Sequence, residues 1–176
     1  MEIISIIIAI LAFVLSLGNA IYTYKCNHKN INLIINSYTR NYIKDKYIYI
    51  FDLLIENKSR LPISINSIKI VKGEKEYKIN INPTLLSEIT SRTGKNITGV
   101  SKLFSATFPI NISGLNDSRE FIELSKNIDL SGDCIIKLCT NRGIIKREFN
   151  IDSYYFDAKE FFKIYKDYVK RIGNVK

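Results

Sequence analysis

The chain opens with a long apolar segment, and this feature constrains its fold more than any other. Ile3–Tyr22 contains no charged residue, and its run of apolar side chains is interrupted at Ser5, Ser16, Gly18 and Asn19. At helical rise, about 20 residues cross the roughly 30 Å hydrocarbon core of a bilayer. The segment therefore predicts a transmembrane helix, and we assign residues 1–25 to a membrane anchor.

Two other interpretations of this segment are a buried core helix and a cleaved signal peptide. A core helix is disfavoured because the segment is apolar on all sides and lies at the N-terminus. Gly18 and Ala20 would suit a signal-peptide cleavage site, but Met1-Glu2 lacks the Lys or Arg of a typical n-region. We therefore expect an uncleaved, single-pass anchor in the cell membrane.

Charges beside the segment predict its orientation. Glu2 precedes it, whereas several basic residues follow it: Lys25, Lys29, Arg40, Lys44 and Lys46. Lys and Arg close to a span tend to stay in the cytoplasm, so the C-terminal domain is expected there.

The rest of the chain is long enough for one domain with its own core. The formal net charge is +9, but basic residues are spread along the chain and Ile alone makes up close to a fifth of it. No nucleic-acid partner is expected from this pattern. Three cysteines, Cys26, Cys134 and Cys139, offer no plausible local disulfide.

Short apolar segments with period-2 alternation predict an antiparallel β-domain over residues 26–152. The pattern is that of an immunoglobulin-like sandwich of seven to eight strands. We expect a bulge within the third strand, an edge strand at Pro109, and a hairpin with Gly143 at positive φ. The predicted strands are Ile31–Tyr38, Tyr47–Glu56, Ile63–Val71, Glu76–Ile81, Phe104–Ile112, Glu120–Leu124, Cys134–Thr140 and Ile144–Ile151.

Residues 82–102 are rich in Ser, Thr, Asn and Gly and predict a long loop, mobile around Ser91–Gly99. Loops and exposed edges are common binding surfaces in β-sandwiches. The candidate interaction surface therefore comprises Leu85, Leu86, Ile89 and Pro109.

The C-terminal segment, residues 153–176, changes to helical periodicity over Asp157–Ile172. Asp157 with Glu160 resembles a capping box. An aromatic face that includes Phe161 and Tyr165 predicts packing on the β-domain, and the alternative is a basic amphipathic helix on anionic lipid. The two interpretations predict opposite exposure for these rings. The candidate lipid-facing stripe comprises Lys159, Lys163, Lys166 and Lys170.

The sequence lacks the residue patterns of common active sites. His28 is the single histidine, and no phosphate loop, GxSxG or Cys-x-x-Cys motif occurs. We expect no metal, no cofactor and no catalytic residues. Leu138-Cys139-Thr140 with Arg142 faintly resembles a sortase transpeptidase, although the Thr-Leu-x-Thr-Cys run is absent.

Three motifs after the apolar segment carry a broader resemblance: Asn57-Lys58-Ser59-Arg60-Leu61-Pro62-Ile63-Ser64-Ile65, Thr107-Phe108-Pro109-Ile110-Asn111-Ile112 and Thr140-Asn141-Arg142-Gly143. With them the chain resembles small uncharacterised single-span membrane proteins of low-GC Gram-positive bacteria and their phages. The resemblance implies an anchor and a β-sandwich, and no activity.

The leading functional hypothesis is a non-catalytic, membrane-anchored interaction module, with the lipid bilayer and a protein as partners. The alternatives are a membrane-surface or phage-encoded accessory protein that uses its basic C-terminal helix, and a sortase-like cysteine transpeptidase.

Overall fold

One long helix precedes ten β-strands in the computed structural model, which describes residues 2–43, 46–93, 96–157, 159–161 and 163. A short 3-10 helix, Ile151–Tyr154, follows the last strand. The elements are α1 (Glu2–Asn27), β1 (Ile31–Ile43), β2 (Lys46–Asn57), β3 (Ile63–Lys72), β4 (Lys75–Lys78), β5 (Leu85–Thr93), β6 (Asn96–Phe104), β7 (Ile110–Ile112), β8 (Asn116–Lys126), β9 (Asp133–Thr140) and β10 (Gly143–Asn150).

The helix α1 stands apart from the β-domain along its apolar length. It is long and apolar enough to cross a membrane, and none of its apolar stretch is buried in the domain. Side chains such as Phe13 and Leu15 remain largely exposed. This exposure excludes the interpretation as a buried core helix.

The strands form two antiparallel sheets and a separate ribbon. The first sheet has the order β1-β2-β8, and the second has the order β10-β9-β3-β4 with β7 also paired to β3. The ribbon consists of β5 and β6. The two sheets thus contain eight of the ten described strands, and the ribbon contains the other two.

Both sheets contribute their inner faces to one hydrophobic core. Phe51 from β2 meets Phe149 from β10 edge-on, with ring centroids 6.5 Å apart. Alternate residues of each strand point into this core because side-chain direction has a period of two. The largest fully buried side chains are Tyr49, Phe51, Leu53, Ile55, Ile63, Ile65, Ile68, Ile70, Ile122, Leu124, Leu130 and Ile136.

Several local predictions are confirmed. The register of β3 against β9 shifts between Ile65 and Ser67, which is the expected bulge. β9 and β10 form a hairpin in which Gly143 has φ 100°. β2 covers the predicted second strand with one further residue at each end.

The loop predicted at residues 82–102 is wrong, since most of this segment forms the paired strands β5 and β6. The residues between these strands lie outside the described part of the chain. Sequence patterning missed the ribbon because one of its faces packs on the domain while the other stays open. Strands of this kind need few apolar side chains, and their Ser and Thr residues resemble those of a loop.

The predicted strand Phe104–Ile112 is also corrected. Phe104 ends β6, and Ile110–Ile112 alone forms β7, which pairs with the first residues of β3. Pro109 lies between them, after a cis peptide bond, and lacks the backbone N–H that a continuous ladder would need. Among the other strands, β1 and β8 are longer than predicted and β4 is shorter.

A second, smaller cluster lies on the outer face of the first sheet. Ile50 and Phe121 from this face pack with Leu103 of the ribbon and with Phe161. Beside the cluster, Arg119 donates from Nε to Oδ1 of Asp52 at 2.8 Å, and its guanidinium also contacts the other carboxylate oxygen. The ribbon thereby converts an outer sheet face into a second buried layer.

Residues 159–161 and 163, within the segment predicted as a C-terminal helix, are helical. Asp157 Oδ1 accepts the backbone N–H of Lys159 at 2.8 Å, as an N-capping side chain does. Phe161 donates its backbone N–H to the Asp157 carbonyl, also at 2.8 Å. The rest of Asp157–Ile172, including Tyr165, lies outside the described residues.

Tyr38 provides a pH-dependent test of the main core. Its ring is buried and stacks on Phe51, with centroids 5.7 Å apart. Burial, reinforced by the negative charge of Asp152, raises the pKa of Tyr38 from 10.0 to about 12. A group whose pKa is higher in the folded state stabilises the fold at pH values below its pKa in the unfolded chain. This stabilisation is lost as the pH rises through the pKa of the folded state.

We therefore expect the free energy of unfolding to fall more steeply between pH 10 and pH 12 in the wild type than in Tyr38→Phe. Urea unfolding of the full chain in detergent micelles, followed by circular dichroism, measures both slopes. Tyr24→Phe changes an exposed tyrosine that is not among the groups shifting the pKa of Tyr38, and it should keep the wild-type slope. Parallel curves for wild type and Tyr38→Phe would contradict the prediction.

Candidate interaction surfaces

The end of the β-domain nearest α1 is organised by the side-chain amide of Asn57, the last residue of β2. Its Nδ2 donates to the carbonyls of Leu61 at 2.9 Å and Ser113 at 3.0 Å. Its Oδ1 accepts from the backbone N–H and the hydroxyl of Ser59. Asn57 is only 1% exposed, so these bonds take the place of the hydrogen bonds that its amide would make to water. The amide thus ties the β2–β3 loop to the β7–β8 loop.

Gly114 allows these two loops to approach closely. A Cβ at this position would lie 1.9 Å from the carbonyl oxygen of Arg60, a distance that no side chain can occupy. The next residue, Leu115, has φ 57° and donates its N–H to the carbonyl of Ser59 at 2.9 Å. The loop after β7 therefore crosses directly over the β2–β3 loop.

These loops also hold the C-terminal end of α1. The last carbonyls of a helix have no partner within the helix. Here the Cys26 carbonyl accepts the backbone N–H of Arg60 at 3.0 Å, and the Asn27 carbonyl accepts from the Arg142 guanidinium. The positive charge of Arg142 is also favourable at the negative end of the helix dipole. α1 is thus fixed to the domain by direct bonds.

Further contacts surround the same helix end. Arg60 donates to the Tyr22 hydroxyl at 2.6 Å and lies over its ring, 5.1 Å from the centroid. Lys29 donates from Nζ to the Ile144 carbonyl at 3.2 Å. A cavity of about 570 Å³ opens beside these groups, lined by Thr23, Tyr24, Asn27, His28, Lys29 and Arg142. We call this end of the domain, with the last turn of α1, the junction.

The residues of the sortase-like hypothesis fall in different surroundings. His28 and Arg142 share the junction cavity, whereas Cys139 is not among the described residues that line it. Cys139 lies on β9 opposite Ile144 and is half-buried. The second strand cysteine, Cys134, is buried, and burial raises the pKa of its thiol. A thiol of this kind is a weak nucleophile.

The ribbon exposes one apolar face. Leu85 and Phe104 are direct cross-strand partners, and each is about half exposed. Val100 lies two positions from Lys102 on the same strand and is exposed to a similar extent. The opposite face carries Leu103, which is buried against the first sheet. We call Leu85, Val100 and Phe104 the ribbon face.

The four residues predicted as an interaction surface separate in the structure. Leu85 belongs to the ribbon face, whereas Leu86 packs partly into the second cluster. Ile89 lies in β5, and its side chain is outside the described part of the chain. Pro109 is exposed next to β7. Sequence reasoning missed Phe104 because it assigned this residue to a strand shared with Pro109.

Half of the predicted basic stripe can be placed. Lys159 and Lys163 are exposed, while Lys166 and Lys170 lie outside the described residues. Phe161 is 2% exposed and meets Phe121 edge-on, with ring centroids 6.1 Å apart. This burial favours packing of Phe161 on the domain over insertion of its ring into lipid.

Away from these surfaces, acidic and basic side chains form ion pairs on the second sheet. Glu76 accepts from Lys137 and, at 2.9 Å, from Lys69, and these bonds lower its pKa to about 2. Within the described part of the chain, no group of three or more His, Cys, Asp or Glu could hold a metal ion.

Comparisons with known proteins give no family assignment. No protein-family model matches the chain, and no curated protein matches it. Among solved structures, it is similar to the crystal structure of a Bordetella pertussis protein provisionally named ApaA, at 14% identity and a TM-score of 0.31. The match covers 70% of this chain and 90% of that one. At this TM-score the likeness bears on neither the fold nor the function.

The Asn57 network predicts a sharp difference between two isosteric substitutions. Asn57→Asp keeps the shape but removes the donors to the loop carbonyls and buries a charge, so it should cost about 3 kcal/mol or more of unfolding free energy. Asn66→Asp, at an exposed position of β3, should stay within about 0.5 kcal/mol of the wild type. Urea unfolding in micelles measures both variants, and equal stabilities would contradict the role given to Asn57.

Proposed function

We propose that the chain is a non-catalytic interaction module, held at the cell membrane by α1 as a single span. The observation that carries this proposal is that the core of the β-domain closes without α1, which leaves the apolar surface of that helix uncovered. An exposed apolar surface of this size is stable in lipid and unfavourable in water. The direct bonds at the junction support a fixed position of the domain beside the membrane.

We further infer that the domain is an immunoglobulin-like sandwich with an amphipathic helix after it. Two antiparallel sheets around one core support the first inference, and the helical start beyond Asp157 supports the second. The ribbon between β4 and β7 is an addition on the outer face of the first sheet.

The ribbon face is the surface that we propose for a protein partner. Leu85 and Phe104 form an exposed cross-strand pair on a strand pair whose other face is already buried. Contiguous exposed apolar side chains of this kind are typical of protein contacts. Between this pair and Val100, Lys102 and Glu88 lie 3.8 Å apart and would add a polar contact to the surface.

Membrane anchoring can be tested by alkaline carbonate extraction of cell membranes, combined with mass spectrometry of the intact chain. We expect the wild type to stay in the membrane pellet at full mass. Leu11→Arg places a charge near the centre of the span, which costs about 2.5–3.5 kcal/mol of insertion, and should release part of the chain. Leu11→Val is the matched control.

A chain recovered in the soluble fraction without its first twenty or so residues would identify a cleaved signal peptide and overturn the anchor. A topology reporter fused to the C-terminus tests the orientation, and we expect a cytoplasmic signal because of the basic residues after the span.

The ribbon face can be tested by site-specific photo-cross-linking in the native host. A photoreactive residue in place of Phe104 should give a discrete adduct, and Leu85→Asp should remove that adduct without changing the unfolding free energy by more than about 0.5 kcal/mol. The same residue in place of Glu74, on the exposed β3–β4 turn, is the control. An adduct that persists in Leu85→Asp would argue against this surface.

A further inference from the structure

We propose that the junction is a binding site for anionic phospholipid headgroups, in which loop side chains enter the bilayer interface around the end of α1. The inference rests on the proposed membrane span and adds a partner and a site to it. It concerns the β2–β3, β7–β8 and β9–β10 loops, none of which belongs to the ribbon face.

The length of α1 sets the depth of the junction. Ile3–Tyr22 covers about 30 Å at helical rise, which matches the hydrocarbon core. Asn27 is five residues further on, or roughly 7 Å, and the headgroup layer on each side is about 5–8 Å thick. Groups bonded to the end of α1 therefore lie at the level of the headgroups. Arg60 and Arg142 make such bonds, to the carbonyls of Cys26 and Asn27.

Three large apolar side chains are exposed on these loops or on the strand residues next to them. Leu61 follows Arg60 directly, and its side chain is 44% exposed. Leu115 is 69% exposed and belongs to the loop that crosses Arg60 at Gly114. Ile144 is 58% exposed, and its carbonyl accepts from Lys29. Leu61 and Leu115 are thus next in sequence to Arg60 and Gly114, and Ile144 is two residues after Arg142, which bonds to the end of α1.

The opposite end of the domain has a different composition. Its described connections are the β3–β4 turn at Gly73, the β8–β9 loop at residues 127–132 and the segment after β10, in which Ile151 donates its backbone N–H to the carbonyl of Gly132. Tyr155 is exposed there, but no large aliphatic side chain of these described connections is, and Leu130 is buried in the core. Of the two ends, the one where α1 enters therefore carries the exposed large aliphatic side chains, as expected if lipid rather than water covers them.

The charges at the junction are complementary to anionic lipid. A second cavity is lined by residues of these loops and the adjoining strand ends: Glu56, Asn57, Lys58, Leu115, Asn116 and Asp117. Of its two acidic residues, Glu56 already pairs with Lys58 at 3.2 Å. Basic side chains outnumber them, and long basic side chains can place their charge among headgroups while their stems cover apolar surface. The described basic residues of the junction are Lys25, Lys29, Lys58, Arg60 and Arg142.

Because the chain contains no Trp, a single Trp can report on the environment of each loop. The full chain with Leu115→Trp is reconstituted into phosphatidylcholine vesicles with about a third phosphatidylglycerol. We expect blue-shifted emission and about a twofold loss of intensity with lipids brominated close to the headgroup. Leu61→Trp should respond in the same way, which guards against misfolding of one variant.

Glu74→Trp is the matched control, since the ten residues of β3 place this turn about 30 Å from the junction. It should show the emission of a water-exposed Trp and no quenching. A second pair of variants tests the charge. Lys29→Glu with Lys58→Glu should weaken the quenching of Leu115→Trp, whereas Lys75→Glu with Lys78→Glu on β4 should not.

The outcomes separate this inference from the proposed anchor. If carbonate leaves the chain in the vesicles but neither loop Trp is quenched, the headgroup site is overturned and the anchor stands. If quenching is equal in phosphatidylcholine alone, the preference for anionic lipid is overturned. If carbonate releases the chain from the vesicles, the anchor and the headgroup site both fail.

Discussion

The structure depends on β2, a strand that is in contact with protein on both faces and at its end. Its inner face supplies Phe51 to the main core, and its outer face supplies Ile50 to the cluster beneath the ribbon. Hydrogen bonding to β1 and β8 on either side makes it the central strand of its sheet. Its last residue, Asn57, then connects the loops that hold α1. One strand thus links the core, the ribbon and the helix.

The connection between α1 and the domain has a physical consequence for any role at a membrane. A flexible linker would let the domain explore many orientations, whereas backbone and guanidinium bonds to the helix carbonyls restrict it to few. The surfaces of the domain then differ in what they can reach. The junction lies at the end of α1, whereas the ribbon face lies on the outer face of the first sheet.

Sequence patterning was successful where a local signal matched the tertiary environment. The apolar and aromatic run of β2 suits a strand that is buried on both faces, and Asn141-Arg142-Gly143 contains the glycine that the hairpin requires. It failed for β5 and β6, because their burial depends on the first sheet lying beneath one face of the ribbon. No periodicity within residues 82–102 could reveal that neighbour. For the same reason, the sequence could not show that Leu86 packs against the second cluster while Leu85 is exposed.

The amino-acid sequence by itself determined the apolar helix and the β-rich domain, since these follow from composition and short-range periodicity. The tertiary structure alone decided which loops meet. Arg60, Gly114 and Arg142 are far apart along the chain, and they converge at the end of α1 because strand pairing brings three loops to one end of the domain. Such convergence is set by register and sheet packing, which are properties of the folded chain.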